Sequence, residues 1–218
     1  MQNMIELLKT LFAIFSALFF TIDILGNLPI FISLTANYSP KFQRKMAIKG
    51  PIVAFFILTA FALLGNFILE WFGLSLPAFK FAGGILLLFL SIDMVMANPE
   101  PQMKSESGAA KKETDLRQDI SVFPLAIQLL SGPASMTLLI LMMKEYQSQP
   151  INQLIVIIAL LLNMILCCIA FKYATYIAKF LGRSGINVLT RIFGVLLTAL
   201  ACQFFIDGII EAFHININ

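Results

Sequence analysis

The segment DILGNLP at residues 23–29 lies within a long apolar run, where a simple membrane anchor would carry only leucine, phenylalanine and similar residues. The run before it, Leu11–Phe20, is apolar except for Ser16, and Ile30–Leu34 resumes the pattern. A carboxylate at bilayer depth is costly to desolvate, and a glycine and a proline interrupt the helical hydrogen-bond ladder. The segment therefore predicts a membrane-spanning helix that is broken near its middle.

The composition of the chain is that of an integral membrane protein. Of its 218 residues, 59% are hydrophobic and 12% are charged, and the mean hydropathy is +0.89. A soluble domain carries about 25% charged residues, so this chain cannot cover a water-facing surface. The prediction is an all-α membrane protein that forms a single transmembrane domain over residues 1–218.

Six spans of about 20 apolar residues are predicted, at 7–34, 46–70, 77–97, 121–143, 151–174 and 188–211. The polar stretch after the third span divides the chain into a first repeat at about 1–98, a loop at about 99–119 and a second repeat at about 120–218. A second break, SGPAS at residues 131–135, falls in span four. Breaks in corresponding spans of two halves are the sequence signal for a transporter's binding site.

The lysines and arginines are distributed by membrane side. One set of loops and span ends holds twelve of them: Lys41, Arg44, Lys45, Lys49, Lys104, Lys111, Lys112, Arg117, Lys172, Lys179, Arg183 and Arg191. The other set holds three: Lys9, Lys80 and Lys144. The positive-inside rule places the richer side in the cytoplasm and both termini in the periplasm. The net charge of +3 is therefore no indication of nucleic-acid binding.

The two halves show a weak internal repeat. Span three reads GILLLFLSID from Gly84 to Asp93, and span six reads GVLLTALACQ from Gly194 to Gln203. With three spans in each half, the second half must run inverted through the membrane. Gly83, Gly84 and Gly194 are predicted to permit close packing of helices.

The chain resembles the MarC/SnatA family of bacterial inner-membrane proteins over essentially its whole length. The motifs that carry the resemblance are DILGNLP at 23–29, SVFPLAI at 121–127, SGP at 131–133, LTRIFG at 189–194 and QFFIDG at 203–208. The resemblance implies a neutral amino acid transporter, and some members are described as moving glycine or alanine. Ile24 and Gln128 stand where the family usually has proline, and Ala134 replaces a glycine. The helix breaks could therefore be less sharp here than in the family, and the substrate could differ.

These features predict a secondary transporter of small neutral amino acids that works by alternating access in the bacterial inner membrane. The alternatives are an exporter or channel-like facilitator of another small polar metabolite, and a membrane partner protein that transports nothing. The residues show no metal-ligand set, no nucleophile with a histidine base and no phosphate loop, so neither an enzyme nor a cofactor is predicted.

The substrate is expected between spans one and four, where the N-termini of two half-helices can hold its carboxylate. The predicted substrate-binding residues are Asp23, Gly26, Asn27, Pro29, Ser131, Gly132, Pro133, Ser135 and Gln203. Asp23 and Asp93 are the candidates for coupling to a proton or sodium ion. Asp23 could instead hold helices together, Gln203 could bridge helices, and Asp93 could be solvated at a span end.

The topology can be tested by the labelling of single cysteines. In a protein whose native cysteines have been replaced, an impermeant thiol reagent applied to intact cells should label Gln2→Cys and not Ser107→Cys, because the charge distribution places these positions on opposite sides. Permeabilised cells should show labelling of both variants. Labelling of residue 107 alone in intact cells would overturn the orientation.

Overall fold

A computed structural model describes residues 2–35, 38–96 and 130–213, and every regular element in these ranges is a helix. The predicted loop at 99–119, the whole SVFPLAI motif at 121–127 and Gln128 lie outside the described residues. Seven helices follow one another along the described chain: α1 (Gln2–Ile22), α2 (Asn27–Thr35), α3 (Pro40–Trp71), α4 (Leu76–Met96), α5 (Pro133–Glu145), α6 (Pro150–Lys172) and α7 (Ala174–Phe213).

Proline is the first residue of three of these helices. α3, α5 and α6 begin with Pro40, Pro133 and Pro150, whose missing N–H group is not needed at that position. The Ser39 hydroxyl accepts the Phe42 N–H at 3.4 Å and so caps α3. The last helix begins at Ala174, earlier than the predicted span six, and is interrupted only at Gly182, whose φ of 65° lies in the left-handed region.

Five described helices are long and apolar enough to cross a membrane, over Ile5–Ile22, Pro40–Gly65, Leu76–Met96, Pro150–Lys172 and Ser184–Phe213. The prediction of a multi-span α-helical membrane protein is thus confirmed. The remaining predicted span, 121–143, is described only from residue 130. Its helix α5 has 13 residues and extends about 20 Å, which is shorter than the apolar layer of a bilayer, about 30 Å.

Glycines bring α4 and α7 into close antiparallel contact. A Cβ atom at Gly84 would lie 2.9 Å from the Phe205 backbone nitrogen, and one at Gly194 would lie 3.0 Å from the Val95 backbone nitrogen. These two contacts are reciprocal, because Gly84 and Val95 precede Gly194 and Phe205 by the same 110 positions. Gly83 faces the other way, toward Thr137 of α5. The predicted packing role of these glycines is confirmed.

Two groups of charged side chains lie at opposite ends of the bundle. At one end the buried Lys80 ammonium is 2.6 Å from Glu211 and 2.9 Å from Glu145, and Lys144 lies 3.6 Å from Glu70. These five residues come from the ends of α3, α4, α5 and α7. The opposite end, where α3 begins and α6 ends, carries basic residues that include Arg44 and Lys172.

The close contact of α4 and α7 at these glycines predicts that adding one methyl group there lowers the stability of the protein. Gly84→Ala and Gly194→Ala should each lower the free energy of unfolding by about 1–3 kcal/mol, because backbone atoms cannot move aside cheaply. Gly185→Ala is the matched control, since its Cβ would meet Leu181 only at an ordinary 3.4 Å. Thermal unfolding in detergent measures the difference, and equal stability of all three variants would refute the close contact.

Candidate functional site

The chain interrupts its first helix at the DILGNLP segment and closes the turn with its own groups. α1 ends at Ile22 and α2 begins at Asn27. Asp23 takes a φ of 46°, a left-handed conformation that Asp tolerates better than most residues. Its carboxylate accepts the Gly26 N–H at 3.0 Å, and its backbone carbonyl accepts the Asn27 N–H at 3.0 Å. The Asn27 side-chain amide donates to the Ile22 carbonyl at 2.8 Å.

Gly26 leaves room for the Asp23 carboxylate in this turn. A Cβ at residue 26 would overlap the Asp23 carboxylate, since both of its oxygens lie against the glycine. Asp23 itself is half-buried and Asn27 is buried, whereas Pro29 is exposed. In the described structure the Asp23 carboxylate therefore closes the turn that immediately precedes α2.

The second predicted break differs in its chemistry. Gly132 is extended and occupies the N-cap position of α5, and Pro133 follows at the first helical position. Among the described residues no side-chain cap is found at this helix N-terminus, so its first turn presents N–H groups without helical acceptors and the positive end of the helix dipole. The buried Ser131 hydroxyl donates to the Ala54 carbonyl at 3.5 Å. Ala54 is near the middle of α3, so α5 begins about half-way along the bundle.

A cavity of about 260 Å³, called the α5 cavity here, opens beside this helix start. The residues that line it are Thr21, Leu86, Leu90, Asp93, Gly132, Pro133, Ala134 and Ser135. The structure thus brings three predicted substrate residues of α5 together with the predicted coupling residue Asp93, which is exposed at the end of α4. Asp93 is distant from residues 132–135 in sequence, and the contact between α4 and α5 joins them.

The other predicted site residues do not line this cavity. They are Asp23, Gly26, Asn27, Pro29, Ser131 and Gln203. The Gln203 amide donates to the Asp207 carboxylate at 2.8 Å, one turn further along α7 and exposed. Ser131 lies next to the cavity in the chain but is turned toward α3.

Sequence reasoning missed Thr21, Leu86 and Leu90. Thr21 could have been identified from the sequence, because it is a hydroxyl residue in an apolar run, two residues before Asp23. Its hydroxyl donates to the Ala17 carbonyl at 2.7 Å, and its oxygen can still accept a hydrogen bond from another donor. The two leucines had no signal, because they are ordinary members of a Leu-rich span. Together the three residues add a hydroxyl oxygen and an apolar wall to the cavity.

Asn163 is a fully buried polar residue of α6. Its amide donates to the Phe15 carbonyl of α1 at 3.2 Å and to the Ala159 carbonyl of α6 at 3.0 Å. Its side-chain oxygen has no hydrogen-bond partner among the described residues. Asn163 therefore joins α1 to α6, as single amides in membrane spans commonly do.

The α5 cavity is suited to a small zwitterion. Among its described lining residues it offers one carboxylate, on Asp93, two hydroxyls, on Thr21 and Ser135, and no Lys or Arg. The positive element is the uncapped start of α5. Within the described ranges no group of three His, Cys, Asp or Glu side chains could hold a metal ion.

Comparison with known proteins decides the family. The model of the "MarC family integral membrane protein" family matches residues 8–213, nearly the whole chain. The chain belongs to the MarC family. Its membership confirms the resemblance found in the motifs at the two predicted breaks and in α7.

Relatives in this family occur in archaea and bacteria. A UPF0056 membrane protein of Methanocaldococcus jannaschii is 41% identical over 195 residues, which are 89% of this chain and 93% of the relative. One from Archaeoglobus fulgidus is 35% identical over 94% of both chains. The UPF0056 membrane protein YhcE of Escherichia coli is 34% identical over 91% of both chains. No solved structure matches the chain.

The turn at Asp23 generates a double-mutant prediction. Gly26→Ala should destabilise the protein by about 1–3 kcal/mol, because the new methyl group collides with the Asp23 carboxylate. In an Asp23→Gly background, which removes the carboxylate and tolerates the positive φ, the same change should cost clearly less. Thermal unfolding of the four proteins measures the coupling; additive effects would show that the collision is not what makes Gly26 necessary.

Proposed function

We propose that this protein is a secondary transporter of small neutral amino acids, of the size of glycine or alanine. The observation that carries the proposal is the α5 cavity, which combines the uncapped start of a helix with the Asp93 carboxylate. A zwitterion places its carboxylate at the helix N-terminus, where about half a positive charge resides, and its ammonium near Asp93. Leu86 and Leu90 supply an apolar wall for the side chain.

Alternating access is supported by the reciprocal contacts of α4 and α7. Gly84 against Phe205 and Val95 against Gly194 are related by exchange of the two helices, as a two-fold axis between inverted repeats requires. Pro40 and Pro150 begin α3 and α6 at the same separation of 110 residues. These features favour two inverted three-helix repeats, with α5 as the second half of a broken span four.

The two ends of the bundle differ in the way that such a mechanism requires. The Lys80 ion pairs join α4, α5 and α7 at the end remote from the cavity. Lys80 precedes Asp93 by 13 residues, about 20 Å along α4. In this state the protein is closed by charged contacts at one end, while the α5 cavity lies toward the other end, which the charge distribution assigns to the cytoplasm.

The test is amino acid flux in proteoliposomes with purified protein. Asp93→Asn should weaken the apparent affinity for glycine or alanine by roughly tenfold to a hundredfold, because a charged hydrogen-bond partner of the ammonium is lost. Asp207→Asn is the matched control: it removes a partly exposed carboxylate that pairs with Gln203 outside the cavity. Flux of another polar metabolite but of no amino acid would favour a facilitator or exporter, and no flux at all would favour a partner protein.

The same assay separates coupling from binding at Asp23. The asparagine oxygen in Asp23→Asn can still accept the Gly26 N–H, so the turn is kept while the charge is lost. We expect gradient-driven accumulation to disappear and counterflow exchange to continue, because Asp23 lies outside the cavity and exchange requires no net movement of a proton. Loss of both activities would instead assign Asp23 to the substrate ammonium, and unchanged accumulation would leave it as a structural residue of the turn.

A further inference from the structure

A second cavity, called the basic cavity here, lies at the end of the bundle where α2 and α6 end and α3 and α7 begin. Its volume is about 200 Å³, several times the ~30 Å³ that one water molecule occupies in the liquid. It shares no lining residue with the α5 cavity. Its polar lining consists of Thr35, Gln43, Arg44, Lys172, Thr175 and Tyr176.

The charge of this cavity is positive. Arg44 on α3 and Lys172 on α6 line it from two helices, and no acidic residue occurs among its described lining. The Lys172 ammonium lies 5.4 Å from the centroid of the Tyr173 ring, which limits where it can reach. An arginine and a lysine that line one polar cavity are suited to a phosphate, which can accept hydrogen bonds from both.

The walls of the basic cavity are fixed by contacts within the protein. The rings of Phe31 and Phe171 stack with centroids 4.6 Å apart and an interplanar angle of 6°. The Gln43 amide donates to the Thr35 carbonyl at 2.9 Å and so ties the start of α3 to the end of α2. The site is therefore preformed, and binding need not order it.

An apolar strip continues from the two cations along the outside of the bundle. On α3, Ile48 and Ile52 follow Arg44 at four-residue steps and are 48% and 46% exposed. On α6, Cys168 precedes Lys172 by four residues, and its thiol lies 3.9 Å from the Ile48 carbonyl. Residues four apart share one face of a helix, so the seam between α3 and α6 carries two cations at its end and apolar side chains along the membrane-facing surface.

We infer that this seam binds one anionic phospholipid. The phosphate lies between Arg44 and Lys172 in the basic cavity, and an acyl chain follows Ile48, Ile52 and Cys168. A soluble anion would use the cations alone, whereas the strip is directly continuous with them and faces the bilayer. Basic pockets between membrane helices are known to favour anionic headgroups, and this one lies where the α2–α3 and α6–α7 connections meet.

The inference is tested with purified, delipidated protein in detergent. Phosphatidylglycerol should raise the unfolding temperature in a saturable way, because a ligand of the folded state stabilises it, and phosphatidylcholine with the same chains should do so far less. The double variant Arg44→Gln/Lys172→Gln should bind phosphatidylglycerol roughly tenfold to thirtyfold more weakly. The matched control Lys45→Gln/Lys179→Gln loses the same charge from exposed residues outside the cavity and should bind as the native protein does.

Two results would overturn the lipid site. Equal weakening in both double variants would show diffuse attraction of charges instead of a defined cavity. Stabilisation of the native protein by inorganic phosphate as strong as that by phosphatidylglycerol would show a site for soluble anions. The comparison of phosphatidylglycerol with phosphatidylcholine on the native protein decides the question even if the site variant folds poorly.

Discussion

An interrupted helix in an apolar bundle leaves backbone groups that water cannot reach, and each of them needs a partner from the protein. At residues 22–27 the chain supplies these partners itself. The Asp23 carboxylate takes the Gly26 N–H, and the Asn27 amide takes the Ile22 carbonyl. The acid, glycine and asparagine that look out of place in the sequence are thus the parts of one hydrogen-bonded turn, and the direction in which α2 leaves α1 depends on them.

The start of α5 differs from this turn, because its residues supply no side-chain partner for the free N–H groups. Gly132 brings no side chain to its N-cap position, and Pro133 has no N–H group to satisfy. The remaining N–H groups of the first turn border a cavity instead of a cap. The backbone groups at the DILGNLP turn are paired within the turn, whereas the N–H groups at the start of α5 border a cavity. Under the proposed function it is therefore α5 that binds the substrate carboxylate. The DILGNLP turn holds Thr21 and α1 in place beside the cavity.

The sequence predicted the helical membrane fold and the glycine packing, because apolar length and small residues act locally. It predicted a break at Gly132–Pro133 and an unbroken span over residues 46–70, which contain Gly50–Pro51. Gly50–Pro51 lies inside the continuous helix α3, whereas Gly132–Pro133 begins α5. A proline inside a membrane helix is tolerated when neighbouring groups satisfy the freed carbonyl, and that depends on tertiary contacts which a single sequence does not show.

The candidate site was less predictable for the same reason. Gly132, Pro133, Ser135 and Asp93 were each identified from their cost in a membrane, but only the packing of α4 against α5 reveals that they share a cavity. Gln203 has the repeat position of Asp93, yet it faces Asp207 on the exposed side of α7. Equivalent positions in the two halves of the sequence therefore do not have equivalent surroundings, because the two halves have different neighbours.

The contacts of α4 also indicate which parts can move against each other. Gly84, Gly194 and Gly208 bring the backbones of α4 and α7 together along their length, and the Ser91 and Thr198 hydroxyls meet at 3.0 Å between them. Such a pair moves as one body, since packed backbones deform little. Lys80 bonds to Glu211 within this pair and to Glu145 across its boundary with α5. Under alternating access, the opening of the charged end would break the Lys80–Glu145 contact and keep Lys80–Glu211, so the ammonium stays paired throughout the movement and no buried charge is left alone.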